Sequence, residues 1–117
     1  MIGFPDSHRY LILHNPETDP FRPLQSVDIP HLAFVTIDPR VIWKDYSVSI
    51  TVEDMRSLEL DKADEVTMLV VVILPEDYSQ ATANLKAPVL INHKRMLGRQ
   101  VILPESAPYS HHERLLR

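Results

Sequence analysis

Apolar residues fall in short clusters, separated by proline and turn residues, and most clusters are of strand length. Tyr10–His14 (YLILH) reads as a short strand and Asn15–Pro23 as a turn-rich loop holding three prolines. Leu24–Val27 reads as a strand leading into a turn at Asp28-Ile29-Pro30. Leu32–Ile37 (LAFVTI) is another, ended by Asp38-Pro39, while Val41–Tyr46 is ambiguous. Ser47–Val52 alternates Val48, Ile50 and Val52 with Ser47, Ser49 and Thr51, which predicts a strand with one wet face. Thr51 followed by Asp54 resembles a capping box, and Val52, Met55 and Leu58 follow at helical spacing. This predicts one short helix near Glu53–Leu58. Val66–Leu74 is apolar nearly throughout, as in a strand buried on both faces, and Pro75 stops it. Met68–Leu74 is expected at the centre, with Val71 in the core. Glu76–Ala83 reads as a polar connection. Ala87–His93 and Arg99–Leu103 predict a hairpin whose short loop draws a positive φ from Gly98. Pro104 is expected to end the last strand.

Six or seven short strands and one short helix, with no alternation of strand and long helix, exclude a parallel sheet. The expected fold is all-β, a small antiparallel β-barrel or sandwich with one short helix. Two glycines against ten prolines in 117 residues argue against a helical bundle. One domain is expected over residues 1–110, followed by a loosely ordered tail at 111–117.

Composition narrows the function. Without cysteine there is no disulfide, thiolate metal site or cysteine nucleophile, which fits a reducing cytoplasm. No stretch approaches the roughly 20 apolar residues of a membrane-spanning helix. The first residues show no signal-peptide pattern. The net charge of −4 argues against direct nucleic-acid binding. Charge is unevenly spread. Glu53–Asp77 holds eight acids against Arg56 and Lys62, and Tyr78–Arg117 holds six bases against Glu105 and Glu113. The local nets of −6 and +4 are either solvated faces or an acidic face that meets a basic partner.

Catalytic motifs are missing. There is no GxSxG, no phosphate-binding glycine loop and no HExxH. His8, His14, His31, His93, His111 and His112 lack ligand spacing and read as scattered surface residues. The carboxylates Asp64-Glu65 and Glu76-Asp77 flank the central strand. They carry the alternative reading, a small β-barrel hydrolase working at the strand ends. Tyr10, Phe34, Trp43 and Tyr46 read as packing residues rather than a base-stacking platform. No catalytic residue, cofactor or metal is expected, and the default class is a protein-binding module.

The segment Ala81–Lys94 (ATANLKAPVLINHK) stands apart. Leu85, Ala87, Val89 and Ile91 alternate as in a strand, yet Pro88 interrupts the run and cannot donate to a ladder. Pro88 marks Ala87–Asn92 as an edge or bulged strand. Asn84 and Asn92 can pair with a partner's backbone, or Thr82 and Asn84 can form a local turn while Asn92 caps a strand end.

Several strings resemble the flagellar assembly factor family FliW: LQS at Leu24–Ser26, LAFVTIDP at Leu32–Pro39, VVVILPED at Val70–Asp77, TANLKAPVLIN at Thr82–Asn92 and GRQVIL at Gly98–Leu103. The resemblance covers roughly residues 3–110, and TANLKAP is its most specific part. FliW-like chains usually carry a further strand-forming segment before the dipeptide at Gly3-Phe4, near which this sequence begins. The resemblance implies a bacterial cytoplasmic protein, monomeric when free, without enzymatic activity. It implies two partners: flagellin, bound in a chaperone-like way, and CsrA, an RNA-binding translational regulator that is sequestered. Candidate partner contacts are Thr82, Asn84, Leu85, Lys86, Pro88 and Asn92, with Asp64, Glu65, Glu76 and Asp77 as the acidic contribution.

Overall fold

The computed structural model describes residues 9–13 and 16–116, the side chain of Asp64 excepted. Eight strands lie among them: β1 (Tyr10–Ile12), β2 (Arg22–Ser26), β3 (Ala33–Ile37), β4 (Thr67–Ile73), β5 (Thr82–Ala83), β6 (Val89–Asn92), β7 (Leu97–Gln100) and β8 (Glu113–Arg114). All pairings are antiparallel. The sheet runs β1-β2-β3-β4-β5-β8, with β6 on β4 and β7 on β6, and it curls into a half-barrel. The expected antiparallel all-β class is what forms. His8, His14, Gly3 and Phe4 lie outside the described residues.

β4 is the hub. Its second half pairs with β3 on one side and with β5 on the other, and its first half pairs with β6. Met68, Val70 and Val72 face the main core with Ile37, Leu85 and Leu90. Leu69 joins a second cluster with Val89 and Ile91, against which Ile12 packs. Val71 departs from expectation. It is only half-buried, because its face of β4 opens towards Ile73, which is 57% exposed.

Two α-helices form rather than one. The ambiguous stretch at 41–46 holds the end of α1 (Pro39–Ile42), where Asp38 accepts from the Arg40 N–H and proline occupies the first turn. The other, α2 (Val52–Ser57), has the expected capping box. The Asp54 N–H donates to Thr51 Oγ1 and the Thr51 N–H to Asp54 Oδ2. It closes with Glu59 at φ 53°. Leu60 N donates to the Met55 carbonyl at 2.9 Å and Glu59 N to that of Arg56 at 3.2 Å, a Schellman closure without glycine.

Other expectations change. Ser47–Val52 is not a strand. Val48 and Ile50 pack on the core, so the alternation records burial without a ladder partner. The left-handed residue of the β6–β7 turn is Met96 at φ 55°, not Gly98, which sits in β7 opposite Ile91. The connection at 76–83 contains a 3-10 turn (Tyr78–Gln80) and β5. Within 111–117, where loose order is expected, Glu113 and Arg114 form β8 on β5. Tyr109, just before, is buried against Trp43 and Tyr46.

Candidate functional site

Residues 81–92 run alongside β4 as two strands with an excursion between them. Ala83 pairs with Val72 and Val89 with Leu69, so residues 84–88 bulge out over the middle of β4. Pro88 explains the break, since it cannot donate to a ladder. β6 itself is not an edge, because β4 and β7 flank it.

Hydrogen bonds hold the excursion at almost every residue. Asn84 N donates to the Val71 carbonyl at 2.9 Å, and Leu85 N to that of Ser110 at 3.0 Å. The Leu85 carbonyl accepts from the Tyr46 hydroxyl at 2.7 Å. Burial, and then the neighbouring Tyr109, push the Tyr46 phenol pKa up, so it remains a donor. Lys86 N donates to Asn84 Oδ1 at 3.2 Å, which also contacts His111 Nδ1 at 3.0 Å. The carbonyls of Lys86, Ala87 and Pro88 accept from Leu103 N, Gln100 Nε2 and Val101 N. A backbone so fully satisfied is a preformed surface.

The candidate residues divide by burial. Thr82, Asn84 and Lys86 are half-exposed, whereas Leu85 and Pro88 are buried. Asn92, 4% exposed, donates from Nδ2 to the carbonyls of Leu58 at 2.7 Å and Glu59 at 3.3 Å. It therefore ties β6 to the end of α2, a structural role across 34 residues of sequence.

Above the excursion lies an open groove of about 310 Å³. Phe34, Val71, Ile73 and Ile102 give it an apolar lining, and Asn84, Gln100, His111 and His112 a polar one. In the sequence Phe34 reads as a packing residue and His111 as a scattered surface histidine, and Ile102 is not singled out. They come together where β3, β4, the residues after β7 and the turn before β8 meet.

The acidic stretch does not assemble into one face. Asp54 pairs with Arg99 at 3.6 Å, Glu59 with Arg95 at 3.9 Å and Glu65 with Lys94 at 3.4 Å. The β6–β7 hairpin thus neutralises much of the local charge. Asp64-Glu65 and Glu76-Asp77 sit at opposite ends of β4, whose seven residues span about 23 Å at about 3.3 Å each. A glycosidase pair needs about 5–9.5 Å. The Lys62 N–H above all, and then Lys94, hold the Glu65 carboxyl below the usual range. The Ser79 hydroxyl and N–H do the same for Asp77, which lies near Arg114. Neither is a raised acid, so the strand-end hydrolase has no working pair. Among the described residues, no group of three or more potential ligands gathers for a metal, and no helix is long and apolar enough to cross a membrane.

A family model described as FliW protein matches residues 1–115. The Flagellar assembly factor FliW of Natranaerobius thermophilus is 41% identical over 107 residues, covering 91% of this chain and 71% of that one. The protein of the same name from Bacillus subtilis is 32% identical over 110 residues, covering 94% and 77%. A solved crystal structure of the flagellar assembly factor FliW superposes with a TM-score of 0.89 at 33% identity, covering 98% of this chain and 79% of that one. Fold and sequence agree: the chain belongs to the FliW family, whose members are named as flagellar assembly factors and not as enzymes.

Proposed function

We propose that this protein couples flagellin synthesis to flagellar assembly by binding two protein partners in the cytoplasm. One is flagellin, held in a chaperone-like way. The other is a CsrA-type translational regulator, sequestered until flagellin displaces it. The observation that carries a binding role is the preformed excursion at 84–88 beside an apolar groove. Thr82, Asn84 and Lys86 are the half-exposed contacts on this reading, while Leu85, Pro88 and Asn92 hold their shape. Glu76 and Asp77 are exposed near β8. Beside a regulator's RNA path they raise the cost of bringing phosphate in, over a range of about 8 Å in physiological salt. Asp64 and Glu65 stand at the far end of β4 and serve as the comparison.

Titration calorimetry with purified flagellin and purified CsrA tests the reading, with RNA binding by CsrA followed in parallel. Binding of both proteins is expected. Glu76→Gln with Asp77→Asn is expected to relieve the RNA block more than it weakens CsrA binding, and Asp64→Asn with Glu65→Gln to do so less. A chain that binds neither protein refutes the proposal.

A further inference from the structure

We infer that the Tyr46 hydroxyl is a positioning group for the docking surface: it fixes the Leu85–Lys86 peptide and so sets how Asn84 and Lys86 meet a partner. This rests on the reading above, in which the excursion at 84–88 is the surface that binds. Within the excursion Leu85 stands out. The carbonyls of residues 86–88 all accept from residues 100–103, on the side of β7. The Leu85 carbonyl instead accepts from the Tyr46 hydroxyl at 2.7 Å, a side chain 39 residues away. Leu85 is 0% exposed and Tyr46 2%, so neither group can turn to water.

The Leu85 carbonyl and the Lys86 N–H belong to one planar peptide unit. Tyr46 holds its carbonyl end, and Asn84 Oδ1 accepts from its N–H end at 3.2 Å while meeting His111 Nδ1 at 3.0 Å. Turning the peptide breaks both bonds at once. A buried hydroxyl thus governs two half-exposed side chains, the carboxamide of Asn84 and the stem of Lys86. Tyr46 is itself fixed. Its ring centroid lies 4.4 Å from that of Tyr109, which stands edge-on to Trp43 at 4.9 Å. The Tyr109 hydroxyl accepts from the Ser47 N–H at 3.0 Å, and the Ser110 carbonyl from the Leu85 N–H at 3.0 Å. Residues 43–47 and 109–110 therefore grip Leu85 at both ends of its backbone. Without the hydroxyl, the Leu85 carbonyl is left buried and unpaired, and the peptide turns to find a partner.

The test is Tyr46→Phe, which removes one oxygen and keeps the ring. Its control is Tyr109→Phe, which removes the acceptor of the Ser47 N–H and keeps the bond to the Leu85 carbonyl. Thermal unfolding checks the fold of each. Amide exchange of Lys86 reads the peptide, and titration calorimetry with purified flagellin and purified CsrA reads the surface. In the parent the Lys86 amide is expected to be protected at least about a hundredfold, although its acceptor is a half-exposed side chain. Tyr46→Phe is expected to speed its exchange at least about tenfold while β4 amides stay within about threefold. It is also expected to weaken binding of at least one of the two proteins about tenfold at unchanged stoichiometry. Tyr109→Phe is expected to leave both readouts within about twofold. A general loss of stability moves all amides together and lowers the stoichiometry, so it is told apart from positioning. An unprotected Lys86 amide in the parent overturns the inference even where Tyr46→Phe does not fold. Equal effects of the two variants overturn it too, as does a Tyr46→Phe chain that frees Lys86 yet binds as the parent does. A parent that binds neither protein is a different result. It removes the two-partner reading, and the docking role of the hydroxyl with it.

Discussion

Asn92 shows how one side chain can join distant parts of the chain. Its Nδ2 reaches two carbonyls at the end of α2, 34 and 33 residues away in sequence. Asn92→Ala leaves those carbonyls without a partner in a dry site and is expected to cost about 1–3 kcal/mol, read as a lower urea midpoint with an unchanged slope. Glu65 acts at the surface. Its folded pKa lies below the ordinary glutamate value, chiefly through the Lys62 N–H. A depressed carboxylate contributes stability above its unfolded pKa and loses it as pH falls through the folded one. Glu65→Gln is therefore expected to lower the melting temperature slightly at neutral pH. The gap to the parent should close below the ordinary carboxylate range, and thermal melts across pH 2–7 check it.

At the scale of the element, β4 carries two different faces under one run of valines. Val70 is 0% exposed in the main core, while Val71 lines the groove. Val70→Asp is expected to unfold the chain, since an unpaired buried charge costs several kcal/mol against a total of about 5–15. Val71→Asp is expected to leave a folded protein, because its carboxylate can reach water through the groove. Circular dichroism of the two variants separates the faces. The run MLVVVIL shows that a strand is buried, but period alone does not tell which valine faces an open groove. That depends on Phe34 and Ile102, brought in by neighbouring strands.

Across the whole molecule, the last residues close one side of the sheet. β8 covers β5, Leu115 N donates to the Ala81 carbonyl at 3.1 Å and Ser110 holds Leu85. Removing residues after Ser110 is expected to lower the melting temperature by several degrees and to promote self-association through the exposed β5 edge. Differential scanning fluorimetry and size-exclusion chromatography read both effects. The expectation of a loose tail came from Pro104 ending the last strand and from the terminal position, which are local signals. Pairing of Thr82 with Arg114, 32 residues on, is not a local property.

The sequence by itself determined the antiparallel all-β class, the position of β4, the capping box that starts α2 and the family. These rest on period, on turn and capping residues and on the string TANLKAP, all of which act within a few residues. The tertiary structure alone decided which strands are edges. It decided that Ser47–Thr51 finds no ladder and that Val52 opens α2, and that Met96 rather than Gly98 takes the left-handed turn. It also decided that the acids of α2 and its flanks are met by Arg99, Arg95 and Lys94. The same holds for the groove, whose apolar lining comes from β3, β4 and the residues after β7, set beside one another by pairing and packing. The physical reason is common to all of these: pairing, burial and charge compensation are set by neighbours in space, and a single sequence shows only neighbours along the chain.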